Sequence, residues 1–228
     1  MDVTEVLSNF GRPGGLDLEA ISDACDALGV GSVVTGLGPL WADAPPFAGP
    51  AVTMELVCGD FPVDSTYHLG VDPILQARPG AVIVIDHRGR EHAAGWGGLL
   101  SRAAKRAGVR GVVIDGAARD VLEAGEIGLP IYGTATVSRT ARTRVVQRAT
   151  QQPIDFRGVA VRPDDVVFAA PGGVAVVPAE ALERVLQQAL DNAAVEATMA
   201  QGIDEGQDLT RVLGSRYELM LERSRANE

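Results

Sequence analysis

The run GVRGVVIDGAARD, residues 108–120, decides how the chain is read. Val112, Val113 and Ile114 form a short unbroken apolar stretch, the pattern of a buried strand. The stretch then reaches Asp115, crosses small residues and sets Arg119 beside Asp120. A turn calls for glycine or proline, but it has no need of an adjacent acid and base at the edge of a core. On the N-terminal side lie AVIVID (residues 81–86) and the helical pattern GGLLSRAAKRAG. On the C-terminal side come the shorter helix RDVLEAGEIG and the strand LPIYG. Strands alternating with helices of this length predict βαβ crossovers and a largely parallel sheet.

Farther out, Asp17 is placed to cap a helix LEAISDACDALG that stops at Gly29. PAVTMELVCG reads as a strand and HLGVDPILQA as a short helical segment. GVAVRPDDVVFAAPGGVAVVP holds three Val-rich runs broken by RPDD and APGG, the pattern of a β meander or the edge of a small barrel. After Pro178, AEALERVLQQALDNAAVEATMAQG predicts a long amphipathic helix and DLTRVLGSRYELMLERSRANE a second one. The expected organisation is one α/β domain over residues 1–178, followed by C-terminal helices over 179–228. The apolar positions Leu182, Val185, Leu186 and Leu190 suggest that these helices pack in an oligomer.

Composition narrows the function. The chain has 228 residues, 46% of them hydrophobic, enough for a substantial single core. A formal charge of −10 and a pI near 4.8 argue against direct nucleic-acid binding, which needs clustered Lys and Arg. Two cysteines, Cys25 and Cys58, make neither a disulfide framework nor a zinc site. There is no leader pattern at the N-terminus and no apolar run of about 18 residues, so the expected setting is cytoplasmic, with no membrane partner. Lys105 is the sole lysine, and it falls beside Arg102 and Arg106 on the wet side of its helix. An imine mechanism needs a desolvated amine, so a carbonyl substrate would have to be polarised in some other way.

Two candidate sites follow. Asp86 and Asp115 close AVIVID and GVVID at what should be the carboxyl ends of neighbouring parallel strands, where open α/β sheets bind ligands. Gly95, Gly97 and Gly98 put bare backbone at a helix start, where free N–H groups attract an anion such as a carboxylate. The plainer reading is a tight loop, and no nucleotide-binding glycine pattern is present. Arg119 offers a planar fork for an oxyanion and Asp120 a hard oxygen for a divalent cation, against the plainer reading of a helix cap beside a surface charge. His68, His87 and His92 lack zinc-ligand spacing, although His92 falls close enough in sequence to reach the mouth of the site. There is no GxSxG elbow.

The run GWGGLLSRAAKRAGVRGVVIDGAARD, together with ISDACDALG, FAGPAVTM, RPGAVIVID and the later Val-rich segment, resembles the regulator-of-ribonuclease-activity A-like family. That family includes class II 4-hydroxy-4-methyl-2-oxoglutarate/4-carboxy-4-hydroxy-2-oxoadipate aldolases. The resemblance implies an α/β fold, an αββα sandwich of the swivelling (phosphohistidine-domain-like) type with a C-terminal helical extension, assembled as a homotrimer or homohexamer. It implies that the backbone of Gly97, Gly98, Leu99 and Leu100 holds the carboxylate of a 2-oxoacid, that Arg119 contacts a substrate oxygen, and that Asp120 ligates Mg2+ or Mn2+. Glu196 of an adjacent subunit would reach the metal through water.

The implied activity is a metal-dependent lyase. It would cleave a 4-hydroxy-2-oxo dicarboxylate to pyruvate, decarboxylate oxaloacetate, or do both through a stabilised enolate. The alternatives are a non-catalytic oligomeric regulator of a protein partner, or a lyase with a specialised substrate. Two departures bear on the choice: Gly98 stands where the family carries Glu or Asp, and AAPGG (residues 169–173) replaces a segment that usually contains Asp. On this reading Glu91 or Asp86 would replace the missing carboxylate, and Gly98→Glu would raise turnover.

Overall fold

In the computed structural model, which describes residues 1–60 and 68–214, the run at 108–120 supplies a central strand of a ten-stranded sheet. The described residues form helices α1 (Val3–Asn9) and α2 (Leu18–Leu28), then strands β1 (Ser32–Val34), β2 (Gly38–Pro39) and β3 (Phe47–Cys58). Next come α3 (Val71–Gln76), β4 (Val82–Arg90), α4 (Gly98–Arg106), β5 (Gly111–Ala118), α5 (Val121–Glu126), β6 (Ile131–Gly133) and β7 (Ala135–Thr136). The chain continues through β8 (Val145–Thr150), β9 (Ile154–Phe156), β10 (Val159–Val161), β11 (Val166–Ala170), β12 (Gly173–Val177), α6 (Leu182–Asp204) and α7 (Leu209–Val212). Residues 215–228 of the expected second C-terminal helix lie outside the described residues.

The strand order is β1-β12-β11-β3-β4-β5-β6-β2, with β7 on β5 and β8 on β3. Strands β3 to β6 run parallel, as the βαβ pattern predicts, but the sheet as a whole is mixed rather than largely parallel. β11, β12 and β1 extend it antiparallel on one side, β2 on the other, and β8 pairs antiparallel with β3, because the Val-rich hairpin and the short edge strands return without a crossover helix. The three Val-rich runs therefore split. The hairpin β11–β12 joins the main sheet against β3, and β10 pairs with β9 in a separate two-stranded sheet.

The unbroken apolar runs are explained by burial on both faces. Ile83, Ile85, Val112 and Ile114 pack with Trp96 and Leu129 under α3, α4 and α5, whereas Val82, Val84 and Val113 pack with Phe47, Tyr132 and Phe156. Alternate residues of a strand point to opposite faces, so a strand covered on both must be apolar throughout.

Helix α2 follows its sequence signals. Asp17 Oδ1 accepts from the Ala20 N–H at 2.9 Å, and Gly29 ends the helix in the left-handed conformation. Its buried face meets α6, whose Leu182, Val185, Leu186 and Ala189 complete a core with Phe10, Ile21 and Phe168. Three of the four apolar positions that suggested oligomer packing are thus covered within the chain. Leu190, 37% exposed, is the exception.

The strands do not stop at Asp86 and Asp115. β4 continues to Arg90 and β5 to Ala118, with a register shift between Ile85 and Arg90. Gly116 sits at that close approach with φ of 147°, and a Cβ there would lie 2.6 Å from the Arg90 carbonyl oxygen. Only glycine fits. The extension of β5 carries the chain on to Arg119 and Asp120.

Candidate functional site

The end of β5 is stitched to the loop that opens α4. Trp96 bridges to Ala118, the Gly95 N–H donates to Ala117 O at 2.9 Å, and the Arg119 N–H donates to Trp96 O at 3.0 Å. Trp96 is buried, its indole N–H donating to Ser101 Oγ at 2.9 Å, and Ser101 in turn donates to Gly97 O at 3.0 Å. These bonds fix extended Gly97 as the residue before a nine-residue helix. The N–H groups of Gly98, Leu99 and Leu100 precede any intrahelical acceptor, so the helix start holds donors that its own turns do not use.

Asp120 meets it there. The Gly98 N–H donates to Asp120 Oδ2 at 3.2 Å, and Arg119 Nε lies 3.3 Å from the same oxygen. Asp120 occupies the N-cap position of α5 but makes no side-chain capping bond, and its backbone is left-handed with φ of 56°. An L-residue held there costs on the order of 1 kcal/mol, less for Asp than for most. The capping half of the plainer reading therefore fails: the Asp120 carboxylate is turned away from its own helix toward the start of α4. The Asp120 and Arg119 side chains are 45% and 39% exposed, open to a ligand.

Gly97, Gly98, Leu99, Leu100, Arg119 and Asp120 line one cavity of about 410 Å³, backed by Leu69 and Trp96. The structure thus brings six of the seven expected site residues together. Glu196 lies on the exposed side of α6 and does not line this cavity within the chain. Neither Asp86 nor Glu91, the suggested replacements for a carboxylate at 98, lines it. His68 reaches the cavity wall; His92 is exposed outside it, and His87 is buried with Nε2 2.8 Å from Ala93 O. Lys105 is exposed and donates to Gly128 O, away from the cavity.

One residue was not singled out from sequence. Glu123, three positions after Asp120 in the first turn of α5, lines the same cavity and pairs with Arg102 at 2.7 Å. The three-residue spacing on a helix was the available signal.

Asp86 and Asp115 belong to a second charged cluster. Glu55, Asp86 and Asp115 stand on neighbouring strands, Glu55 in register with Asp86, and line a separate cavity of about 440 Å³. All three are buried and surrounded by arginines. Arg148 and Arg88 bind Glu55, while Arg157 binds Asp115 at 2.8 Å. Burial pushes the Glu55 carboxyl up, but the hydrogen bonds from Arg148 and Arg88 outweigh it and hold the group below its usual range. Asp86 goes the other way, raised by burial that the Arg88 N–H offsets only in part.

An α/β chain with a glycine-opened helix facing an Arg–Asp pair defines a class, and comparison with known proteins places it. The family description RraA-like: Aldolase/RraA matches residues 20–176, and the chain belongs to that family. It is 32% identical over 188 residues to a Halalkalibacterium halodurans protein named "Putative 4-hydroxy-4-methyl-2-oxoglutarate aldolase", covering 81% of this chain and 83% of that one. It is 30% identical over 189 residues to protein DlpA of Legionella pneumophila, where the match takes 83% of this chain but spans only 30% of DlpA. Among solved structures, an uncharacterized Pseudomonas syringae protein superposes with a TM-score of 0.78 at 26% identity, covering 92% of this chain and 98% of that one. Streptomyces coelicolor RraAS2, described as an unusual member of the RNase ES inhibitor RraA family, gives 0.64 at 29% identity, covering 72% and 82%.

Proposed function

We propose that the chain is a divalent-metal-dependent carbon–carbon lyase acting on a 2-oxoacid, by retro-aldol cleavage of a 4-hydroxy-2-oxo dicarboxylate, by oxaloacetate decarboxylation, or both. The observation that carries it is the meeting of the α4 helix start, Arg119 and the uncapped Asp120 carboxylate at one cavity. The aldolase names of relatives support the lyase class.

The donor set fits a magnesium-class ion. Asp120 Oδ1 takes no protein donor among the described residues, and Glu123 stands beside it. Mg2+ is commonly held by one or two carboxylates with water and substrate completing the shell. Among the described residues no group of three or more His, Cys, Asp or Glu is placed to enclose a metal, so the oxygens of substrate and water have to contribute. Such an ion would supply Lewis-acid polarisation of the substrate carbonyl.

The chain's own groups do the rest. The Leu99 and Leu100 N–H groups bind the 2-oxoacid carboxylate at the positive end of α4. In retro-aldol cleavage the 4-hydroxyl gives its proton to a water held at Arg119 and becomes the carbonyl of the leaving fragment as the carbon–carbon bond breaks; in decarboxylation the carboxylate leaves as CO2. Either way the bonding pair passes into the enolate, and the Arg119 guanidinium offsets the charge that grows on its oxygen. A water at Arg119 carries the proton that converts the enolate to the product ketone. The same proposal includes the αββα swivelling description of the fold and a homotrimer or homohexamer in which another copy covers Leu99 and Leu122, 83% and 78% exposed.

A pyruvate-coupled assay tests the activity. Turnover of 4-hydroxy-4-methyl-2-oxoglutarate or oxaloacetate should require Mg2+ or Mn2+ and stop with EDTA. Turnover that survives EDTA contradicts the proposal. The exposed Leu99 and Leu122 also suit a regulator that docks a protein. Retention of a protein partner with no turnover of any 2-oxoacid would favour that second reading.

A further inference from the structure

The space beside Gly98 is not empty. A Cβ built on Gly98 would overlap Glu123 Oε2 and lie 3.1 Å from Asp120 Cβ. The Glu123 carboxylate therefore rests where a side chain at 98 would begin, against the first residue of α4 and next to Asp120. Arg102 anchors the other oxygen, Oε1, at 2.7 Å. Glycine at 98 is what admits it. The two carboxylates come from one turn of α5, with Asp120 turned back by its left-handed backbone and Glu123 projecting from the helix three residues later. Both line the cavity beside the start of α4, where the Leu99 and Leu100 N–H groups have no acceptor within their own helix.

We propose that Glu123 is the second carboxylate of the cation site, occupying through space the position that a side chain at residue 98 would otherwise take. This rests on the metal-dependent reading above. It assigns Gly98 a definite role, which is to leave room for Glu123. It also changes what substitutions at 98 should do. The atom in the way is the far end of a flexible side chain, so alanine at 98 fits by pushing Glu123 aside, and glutamate at 98 evicts Glu123 while putting another carboxylate in its place.

The test is Mn2+ binding measured by calorimetry and by water-proton relaxation, with no substrate and no turnover. Glu123→Gln should weaken Mn2+ by about 10-fold or more, the scale expected when a group that orients a metal's waters is lost. Gly98→Ala should weaken it by a similar factor although it removes no ligand. Gly98→Glu and the double variant Gly98→Glu/Glu123→Ala should stay within about threefold of the unsubstituted protein, the scale of one rearranged exposed charge. Arg102→Gln, which breaks the ion pair and keeps the carboxylate, should also stay within about threefold.

Mn2+ affinity unchanged in Glu123→Gln overturns the inference, and so does an equal loss in Arg102→Gln, which would make the ion pair the important feature. Circular dichroism and melting temperature of each variant separate loss of binding from loss of fold. If the unsubstituted protein binds no Mn2+, the lyase reading and this inference fall together. If Asp120→Asn abolishes binding while Glu123→Gln leaves it intact, only Glu123 is misassigned.

Discussion

Two groups of carboxylates lie near the carboxyl ends of the same parallel strands, and they differ in what surrounds them. Glu55, Asp86 and Asp115 are buried, and Arg88 from the same strand as Asp86, with Arg148 and Arg157 from farther along the chain, answers their charge. Asp120 and Glu123 lie at an open cavity with Arg119 and Arg102, and among the described residues no guanidinium pairs with Asp120 Oδ1 or Glu123 Oε2. Low-dielectric surroundings force a buried carboxylate to find partners within the protein. A carboxylate in contact with water can keep a free valence for a ligand. Position at the strand ends does not by itself leave an acid free for a ligand; accessible, unsatisfied valence does.

If that distinction holds, substitutions in the open cluster should damage chemistry and spare the fold, and those in the closed cluster should do the reverse. The largest effect belongs to Asp120→Asn, which should remove metal-dependent turnover by at least about 100-fold in kcat/KM, the upper end for a disturbed metal shell, with little change in melting temperature. Arg119→Ala should lower kcat by about 100-fold, the cost of losing one oxyanion partner, while a Mn2+ titration stays near that of the unsubstituted protein. Equal losses of metal affinity in both variants would erase the division of labour between the pair.

In the closed cluster, Glu55→Ala should destabilise the protein by about 1–2 kcal/mol in urea unfolding. That lies below the figure for breaking a fully buried pair, because Arg88 and Arg148 are 46% and 57% exposed and rehydrate. A small pH effect follows. The Glu55 carboxyl titrates lower in the folded chain than in the unfolded one, so its contribution is present above the ordinary glutamate range and fades as acid protonates it. Glu55→Gln should flatten the acid-side decline of the melting temperature. An undiminished decline would move the acid sensitivity to other groups.

Much of this was legible in the chain itself. Val112 to Ile114 announced a strand covered on both faces, Asp17 and Gly29 marked α2, and the glycines at 97 and 98 marked the start of α4. The strand ends were not legible. Asp86 and Asp115 look like stop signals until Arg148 and Arg157 arrive from 93 residues beyond Glu55 and 42 beyond Asp115 to neutralise the cluster. The apolar face of α6 was visible too, but periodicity says only that a face is covered, and here α2 covers most of it. Glu123 was hidden for a similar reason. Its spacing from Asp120 is local, whereas its contact with Gly98 depends on two helices meeting across the end of β5.

The left-handed backbone at Asp120 also limits how the site can be copied. Transplanting Arg119 and Asp120 as a dipeptide onto another strand end would deliver the residues in the usual right-handed or extended form, with the carboxylate aimed along the new helix as a cap. A portable version must bring the kink with it, as part of the strand extension through Gly116 and Ala118 that sets it up. For the same reason alanine is a poor probe at 120, since it disturbs shape and charge together. Asparagine tolerates the conformation and glycine adopts it freely, so the two together separate what the backbone contributes from what the carboxylate does.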